Sequence, residues 1–361
     1  MTASLIRAAE SVPALEAVQS SVDALLDAFL AERIADLAEL DPALAPIGRE
    51  VAELVRAGGK RLRPAFVYWG YRATGAPHLD QVMAPAAAVE LLHTFALIHD
   101  DVMDRSAERR GRPAVHESLA AAHARDHLEG DAAWFGIGGA ILAGDLAFVW
   151  ADQLLDNAQL SPDAIVRARP VFTELRVEVM AGQYLDLRLA GVAGASEADA
   201  LHVALLKSGR YTVTRPLQLG AALGGPDEQL DKVLCAFGDA VGVAFQLRDD
   251  VLGLFGEPSA TGKGALEDLR DGKRTVLMLR ALEMASSAGR EVLLSALGDP
   301  QLDEAGGDRV REIVAGCGAL AAVEELVASR QQSAREALAP LEQPARSALE
   351  ELADLAAFRV V

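Results

Sequence analysis

Apolar residues recur along this chain at helical spacing, and they almost never alternate as a half-buried strand would. Leu15 to Leu40 reads as a long amphipathic helix that stops at Asp41-Pro42. Ile47 to Ala57 is a second, closed by Gly58-Gly59. Pro64 suits the first turn of a third, which ends near Thr74-Gly75. Leu79 to Asp104 is long and apolar, and the polar loop Arg105 to Pro113 follows it. Further helices are expected over 139–158, 162–189, 196–223, 227–255, 274–287, 308–338 and 343–358. Long helices joined by short connections, with no repeat and no linker, predict an all-α fold: one large helical bundle, with residues 1–361 as a single domain.

Composition supports the pattern. Apolar residues are 51% and charged residues 24%, the balance of a folded chain, and aromatics are only 5%. The formal net charge of −19 disfavours nucleic acid as a partner, since phosphate backbones need a basic surface. Two cysteines, Cys235 and Cys317, make no disulfide framework, which suits a reducing cytoplasmic setting. The first residues lack the apolar core of a signal peptide. The most apolar run, Ile137 to Trp150, is interrupted by glycine and Asp145 and falls short of the ~20 residues of a membrane span.

Two acidic clusters stand out because each is embedded in an apolar helix. In His99-Asp100-Asp101-Val102-Met103-Asp104, the side chains of Asp100 and Asp104 project within about 40° of each other, and Asp101 lies about 100° away. Carboxylates at a helix C-terminus oppose the macrodipole and call for a cation. In Phe245-Gln246-Leu247-Arg248-Asp249-Asp250, residues Gln246, Asp249 and Asp250 share one face. Either cluster alone could be a solvated polar face. Together they supply hard oxygen ligands suited to Mg²⁺, which commonly takes a few carboxylates plus substrate phosphates.

The basic residues complete that picture. Of five lysines, four sit in distinctive settings: Gly59-Lys60-Arg61, Lys207-Ser208-Gly209, Gly262-Lys263-Gly264 and Gly272-Lys273-Arg274. Glycine flanks let backbone and ammonium approach an anion closely. A further run, Arg105 to Pro113, includes Arg109 and Arg110 and directly follows the first acidic cluster. Each charge alone could be surface decoration; as an ensemble they suit phosphate held beside a metal.

These motifs, in this order, resemble the trans-isoprenyl diphosphate synthases, the polyprenyl synthetases that include farnesyl and geranylgeranyl diphosphate synthases. GGKRLRP, LLHTFALIHDDVMD, ERRGRP, Lys207-Ser208, FQLRDD and GKGALEDLRDGKRT carry the resemblance from Gly58 to Thr275. It implies a helical isoprenoid-synthase bundle with a central active site, a homodimer, and Mg²⁺ as cofactor, with three ions per site. By the same resemblance Asp100, Asp104 and Asp249 are metal ligands supported by Asp101 and Asp250. Lys60, Arg63, His93 and Arg110 bind isopentenyl diphosphate. Arg109, Lys207, Gln246 and Lys263 surround the allylic diphosphate, with Lys273 a further phosphate-side lysine. Ser208 and Gln246 would stabilise an allylic cation. His99 and His116 are read as structural.

The implied reaction is head-to-tail condensation driven by metal-assisted departure of pyrophosphate. It needs no side-chain nucleophile, and the chain offers no convincing Ser/His/Asp or Cys/His set. Phe95 and Ala96, five and four residues before Asp100, are the expected chain-length determinants. One aromatic without a second resembles synthases ending at twenty carbons, hence geranylgeranyl diphosphate; farnesyl or longer products are the alternative. Three departures from the pattern are Gly253 where a third aspartate is usual, Ser208 for threonine, and Ala114 for threonine. A class I terpene cyclase fits less well: Asn157 and Ser161 match its second metal motif, but Ile165 stands at the acidic position. A non-catalytic synthase subunit should have lost motif residues that are present here.

Overall fold

The computed structural model describes residues 13–192, 194–225, 227–256 and 266–357. Alanine and leucine at helical spacing do form helices, and the described residues hold only one two-stranded ribbon besides. The chain divides into two compact units. One comprises Pro13–Tyr68 and Pro77–Val166, the other Trp69–Ala76 and the chain from Arg167 onward.

In the first unit, α1 (Pro13–Leu40), α2 (Ala45–Arg56) and α3 (Leu62–Arg72, which ends in the second unit) are followed by α4 (Met83–Met103). The ribbon β1 (Glu108–Arg109) and β2 (Arg112–Pro113) leads to α5 (Val115–Arg125) and α6 (Ala132–Asp156). Helix α4 is apolar nearly all round because it is the centre of this unit. Val89, Leu91, Leu92 and Ile98 are fully buried, and α6 packs along it. The contact is close: a Cβ on Gly144 would lie 2.3 Å from the His99 ring.

Helix α5 was not expected from the pattern, and α6 begins seven residues earlier than the sequence suggests. Asp131 caps it by accepting from the Ala133 and Trp134 amides at 2.9 and 3.2 Å. Gly136 is there for packing, since its Cβ would lie 2.2 Å from the His116 carbonyl oxygen on α5. Glycine and Asp145 therefore interrupt the apolar run without interrupting the helix. Both Asp80–Met103 and Ala132–Asp156 are long and apolar enough to cross a bilayer by length and composition, which corrects the expectation that no run reaches that length. The most apolar stretch of the first is 72% buried in the core; that of α6 is only 28% buried.

In the second unit, α7 (Pro162–Ala190, whose first turn belongs to the first unit) is followed by the predicted 196–223 helix, which proves to be three pieces. Ser196 caps α8 (Glu197–Val203), wide π-helical turns run from Ala204 to Thr214, and α9 (Arg215–Gly224) completes the segment. Helix α10 (Glu228–Phe255), capped by Asp227, runs through the core of this unit. Its Ala244, Leu247, Val251 and Leu254 pack with Leu266, Leu269, Val276, Val310 and Val323. The π turns cross α10 backbone to backbone, since a Cβ on Gly242 would lie 2.4 Å from Gly209 Cα. The expected 308–338 helix is broken where Gly318 takes φ 88°, giving Glu304–Gly316 and Ala319–Ala337. The 274–287 helix is shorter, Val276–Met284, and Ser286 starts a separate one, Ser287–Ala296.

Candidate active site

The first acidic cluster occupies the last turn of α4. Asp104 closes the helix, its amide donating to the Asp100 carbonyl at 2.8 Å. Arg105 then takes φ 55°, which reverses the chain, and the Ser106 amide donates to the Asp101 carbonyl at 2.9 Å. The ribbon turns at Arg110 (φ 56°) and Gly111 (φ 71°), the two positive-φ positions of a tight hairpin. That turn folds Arg109 back onto α4. Its Nε donates to Asp101 Oδ1 at 2.8 Å and its Nη2 to Asp100 Oδ2 at 3.4 Å, with a second, closer contact from Nη2 to Asp101. Asp101 is buried, while Asp100 and Asp104 are only half-buried. Burial works against the Arg109 charge, but Asp101, Asp100 and Asp104 more than offset it and keep the guanidinium protonated.

The loop after α2 brings basic groups to the same helix. Gly58 and Gly59 take φ 103° and 144°, which glycine alone tolerates easily, and Arg61 takes φ 51°. Arg61 is buried. It donates to Glu90 Oε1 at 2.6 Å, to Asp23 Oδ1 at 2.7 Å and to the Val55 carbonyl at 2.8 Å. Glu90, itself buried, lies one turn before His93 on α4, so this ion pair pins the glycine loop to the helix that carries the aspartates. Arg110 donates to the Leu54 carbonyl at 3.3 Å and to the Gly58 carbonyl, and Arg112 reaches Glu53. The ribbon tip is thereby stitched to the end of α2.

His93 sits where these charges meet. Burial, then Arg63, Arg110, Arg109 and Arg61 in turn, hold its pKa well below the usual histidine value. The imidazole is therefore neutral. Burial, together with Arg61, Arg63 and Arg109, also lowers the Arg110 pKa against the pull of Glu90. Of these four guanidiniums, Arg61 is taken up by Glu90 and Asp23 and Arg109 by Asp101 and Asp100, so the charge that bears on this neutral ring with fewer carboxylates against it is that of Arg63 and Arg110. Lys60 is exposed beside Arg61 on the loop. Phe95 is buried, edge-to-face with His99 (4.7 Å between centroids) and with Phe148 on α6 (5.0 Å). Ala96 is half-buried.

The second acidic cluster lies on α10. Gln246 Nε2 donates to Asp250 Oδ1 at 2.7 Å. Burial, opposed by that hydrogen bond and reinforced by Asp268, Asp249 and Asp186, pushes the Asp250 carboxyl up to about 8. Asp250 is buried and Asp249 half-buried. Lys207, in the π turns with half-buried Ser208 beside it, donates to Asp186 Oδ2 at 2.7 Å. Gly182 on α7 permits that approach, since its Cβ would lie 2.3 Å from the Lys207 amide nitrogen. Lys273 Nζ lies 3.1 Å from Asp268 Oδ1. Asp250, Gly253, Asp268, Lys273 and Thr275 line one small cavity. Lys263 lies outside the described residues.

Sequence reading missed Asp186 and Asp268. Asp268 stands inside the quoted EDLRDGK stretch, where only the lysine drew notice. Asp186 had a fainter cue: it lies one helical turn after Gly182 on the stripe of α7 that meets Lys207. Among the described residues no three acidic, histidine or cysteine side chains already form a closed metal cage. The donor chemistry nevertheless fits Mg²⁺. Burial, reinforced by Asp268, Asp249 and Asp186, raises the Asp250 carboxyl, and a set of carboxylate oxygens of this kind suits Mg²⁺.

This is a helical protein that carries two aspartate pairs, the first met by Arg109 and the second by Gln246. The chain belongs to the polyprenyl synthetase family, which it matches over residues 46–315. It is 32% identical over 302 residues to a geranylgeranyl diphosphate synthase of Methanosarcina mazei, covering 83% of this chain and 86% of that one. It is 34% identical over 271 residues to a geranylfarnesyl diphosphate synthase of Aeropyrum pernix, covering 74% and 79%. The crystal structure of a Corynebacterium glutamicum geranylgeranyl pyrophosphate synthase, complexed with isoprenyl diphosphate and magnesium, superposes with a TM-score of 0.92 at 35% identity, covering 96% of this chain and 99% of that one. The all-helical isoprenoid synthase fold expected from the motifs is thus the fold observed.

Proposed function

We propose that this protein is a short-chain trans-prenyltransferase that condenses isopentenyl diphosphate with allylic diphosphates, with geranylgeranyl diphosphate as its main product. The observation that carries this reading is that Arg63 and Arg110, with Arg61 and Arg109, bear on neutral His93 on the same helix that carries Asp100 and Asp104. Lys60, Arg63, His93 and Arg110 bind the isopentenyl diphosphate. A neutral imidazole serves there as an N–H donor without adding a further charge to four guanidiniums. Arg109 holds Asp101 and reaches Asp100, so it sets the carboxylate geometry before any substrate arrives.

Asp100 and Asp104, and Asp249 on α10, would hold Mg²⁺, three ions per active site by family likeness. When bound, the metal supplies charge that stabilises departing diphosphate oxygens. Lys207, kept in place by Asp186, together with Gln246, Lys263 and Lys273, binds the allylic diphosphate. Asp101 and Asp250 are positioning residues, the first through Arg109 and the second through Gln246. The allylic carbon–oxygen bond breaks and pyrophosphate leaves with the electron pair. The isopentenyl double bond attacks the allylic cation, and the proton lost from the adduct goes to pyrophosphate. Ser208 and nearby carbonyl oxygens of the π turns offer partial negative charge to the cation.

Incubation with isopentenyl diphosphate, an allylic primer and Mg²⁺, read by product chromatography, tests the reading. Twenty-carbon diphosphate with stoichiometric pyrophosphate is expected, and full turnover in excess chelator would overturn the metal's role. A cyclised hydrocarbon would favour a terpene cyclase. The structure disfavours that alternative, because Asn157 ends α6 and Ser161 starts α7, so the two do not share a helix face. Phe95→Ala should lengthen the product and Ala96→Phe shorten it; an unchanged distribution in both removes them as the ruler.

The protein is further proposed to be a cytoplasmic homodimer. Trp134, Phe135, Ile141, Leu142 and Val149 leave an apolar face on α6, with Trp134 71% exposed. Its two cysteines are free, as a reducing compartment requires. A monomeric mass in light scattering at micromolar concentration, with activity retained, would overturn the dimer.

A further inference from the structure

Lys207 and Ser208 lie in the π turns from Ala204 to Thr214, where the backbone is wider than an α-helix and its register depends on what it packs against. Two backbone crossings pass close to them. A Cβ on Gly182 of α7 would lie 2.3 Å from the Lys207 amide nitrogen, and one on Gly242 of α10 would lie 2.4 Å from Gly209 Cα. Glycine permits such crossings but supplies no side chain to stop one backbone from sliding on the other.

The next residue supplies what the glycines lack. Arg210 reaches both flanking helices at once. Its Nε and Nη2 donate to Asp239 Oδ1 and Oδ2 on α10 at 3.3 and 3.2 Å, and its Nη1 donates to Glu178 Oε1 on α7 at 3.1 Å. Buried Thr214 closes the π segment by donating to the same Asp239 Oδ1 at 2.7 Å. Arg215 grips Glu178 with two further bonds of 2.8 Å.

These contacts follow the two helices toward the site. On α7, Glu178, Gly182 and Asp186 share one face and meet Arg210, the Lys207 backbone and Lys207 Nζ in turn. On α10, Asp239 meets Arg210, Gly242 meets Gly209 one turn later, and Gln246 holds Asp250 one turn after that. Asp186 is itself close enough to Asp250 to add to the rise in its pKa. The arginine bridge, the two crossings, the lysine and the second aspartate pair form one stack.

We propose that Arg210 is a positioning residue for the allylic diphosphate: by holding Glu178 and Asp239 together it fixes the register of the π turns between α7 and α10, and through that register the presentation of Lys207. The role toward the diphosphate rests on the proposed function, but the coupling of Arg210 to Lys207 does not.

The test compares wild type, Arg210→Met, Lys207→Met and the double variant. Without Arg210, Glu178 keeps Arg215 and Asp239 keeps Thr214, so neither carboxylate is stranded and the fold is retained. Arg210→Met is expected to raise KM for the allylic primer by about 10-fold or more, as displacement of a binding group does, with KM for isopentenyl diphosphate unchanged. In the Lys207→Met background it is expected to raise the allylic KM no further, while its cost in melting temperature remains. Arg215→Met, which loosens Glu178 from the regular helix α9, is expected to lower the melting temperature and leave the allylic KM in place. An unchanged allylic KM in Arg210→Met, equal rises for both substrates, a further rise in the Lys207→Met background, or the same rise in Arg215→Met would each overturn the proposal and leave Arg210 a staple between helices. Should Arg210→Met not fold, Asp239→Asn, which removes the α10 anchor and leaves Arg210 on Glu178, carries the same cycle. If wild type transfers no prenyl group, the proposed function falls by itself. Affinity for inorganic pyrophosphate with Mg²⁺, read by calorimetry over the same four proteins, then decides the coupling, and a wild type that binds no pyrophosphate overturns the proposal as well.

Discussion

The two acidic regions are built on opposite electrostatic plans. At the end of α4 the carboxylates arrive already compensated: Asp101 is buried against Arg109, Asp100 is within reach of the same guanidinium, and Glu90 is paired with Arg61. On α10 the Asp250 carboxyl is buried and accepts from Gln246 rather than from a cation. Asp186 and Asp268 each have a lysine, yet burial, reinforced by Asp268, Asp249 and Asp186, pushes Asp250 up to about 8. The first region is organised by its own ion pairs before any ligand arrives. In the second, the lysines sit on Asp186 and Asp268 and leave Asp250 to Gln246.

The sharpest way to break this comparison is to separate the aspartates of the first region by role. Asp100→Ala and Asp104→Ala are each expected to lower kcat by several orders of magnitude, roughly 10³-fold, as lost stabilisation of a leaving group does. Asp101→Asn is expected to act differently. It weakens the Arg109 clamp, so stability falls first, and the rate loss is smaller than for either neighbour. Steady-state kinetics beside chemical denaturation checks this. Equal rate losses for all three, at unchanged stability, would make Asp101 a ligand like the others and dissolve the distinction.

The pinned loop gives the next effect. Arg61 is 5% exposed and its partner Glu90 4% exposed by side chain. Removing one member of such a pair leaves the other charged and buried, at about 3–5 kcal/mol. Arg61→Met should therefore destabilise the protein by about that amount in urea unfolding, and Arg61→Met with Glu90→Leu should recover much of it. No recovery in the double variant would mean that Asp23 and the Val55 carbonyl, not Glu90, dominate the anchoring.

How far the sequence reveals this design depends on whether the signal is local. Helical spacing exposes α1, α4, α7 and α10, and Asp227 and Ser196 sit at the helix starts that the pattern marks. The π turns from Ala204 to Thr214 stay hidden, because a wide turn uses the same apolar residues as a narrow one. The break at Gly318 stays hidden as well, since one glycine in an alanine-rich stretch is also compatible with a continuous helix. In the site, Asp100, Asp104, Asp249 and Asp250 announce themselves by adjacency within a short segment. Asp186 and Asp268 do not, because what gives each its place is a lysine 21 or five residues away. Nor does the sequence announce that a Cβ on Gly253 would lie 2.8 Å from the tip of the Asp268 side chain.

The smallest expected effect concerns His93, and it probes the charge plan of the first region directly. Its pKa in the folded protein is held well below 6.5, chiefly by burial and then by the four arginines. Below pH 6.5 the unfolded chain takes up a proton that the folded one refuses, so folding stability falls as pH drops through that range. His93→Asn removes this contribution. The stability of wild type relative to the variant should therefore decline below pH 6.5, by at most about 1.4 kcal/mol per pH unit, and should be flat above pH 7.5. Urea unfolding of both proteins across pH 5 to 8 measures it. Pyrophosphate sharpens the comparison further. An anion among Arg61, Arg63, Arg109 and Arg110 cancels part of their repulsion toward a protonated His93, so the acid-side decline should shrink in its presence. It should not vanish, because burial remains. A decline unaffected by pyrophosphate would mean that the anion settles elsewhere and that the arginines serve only to hold the loop and the ribbon to α4.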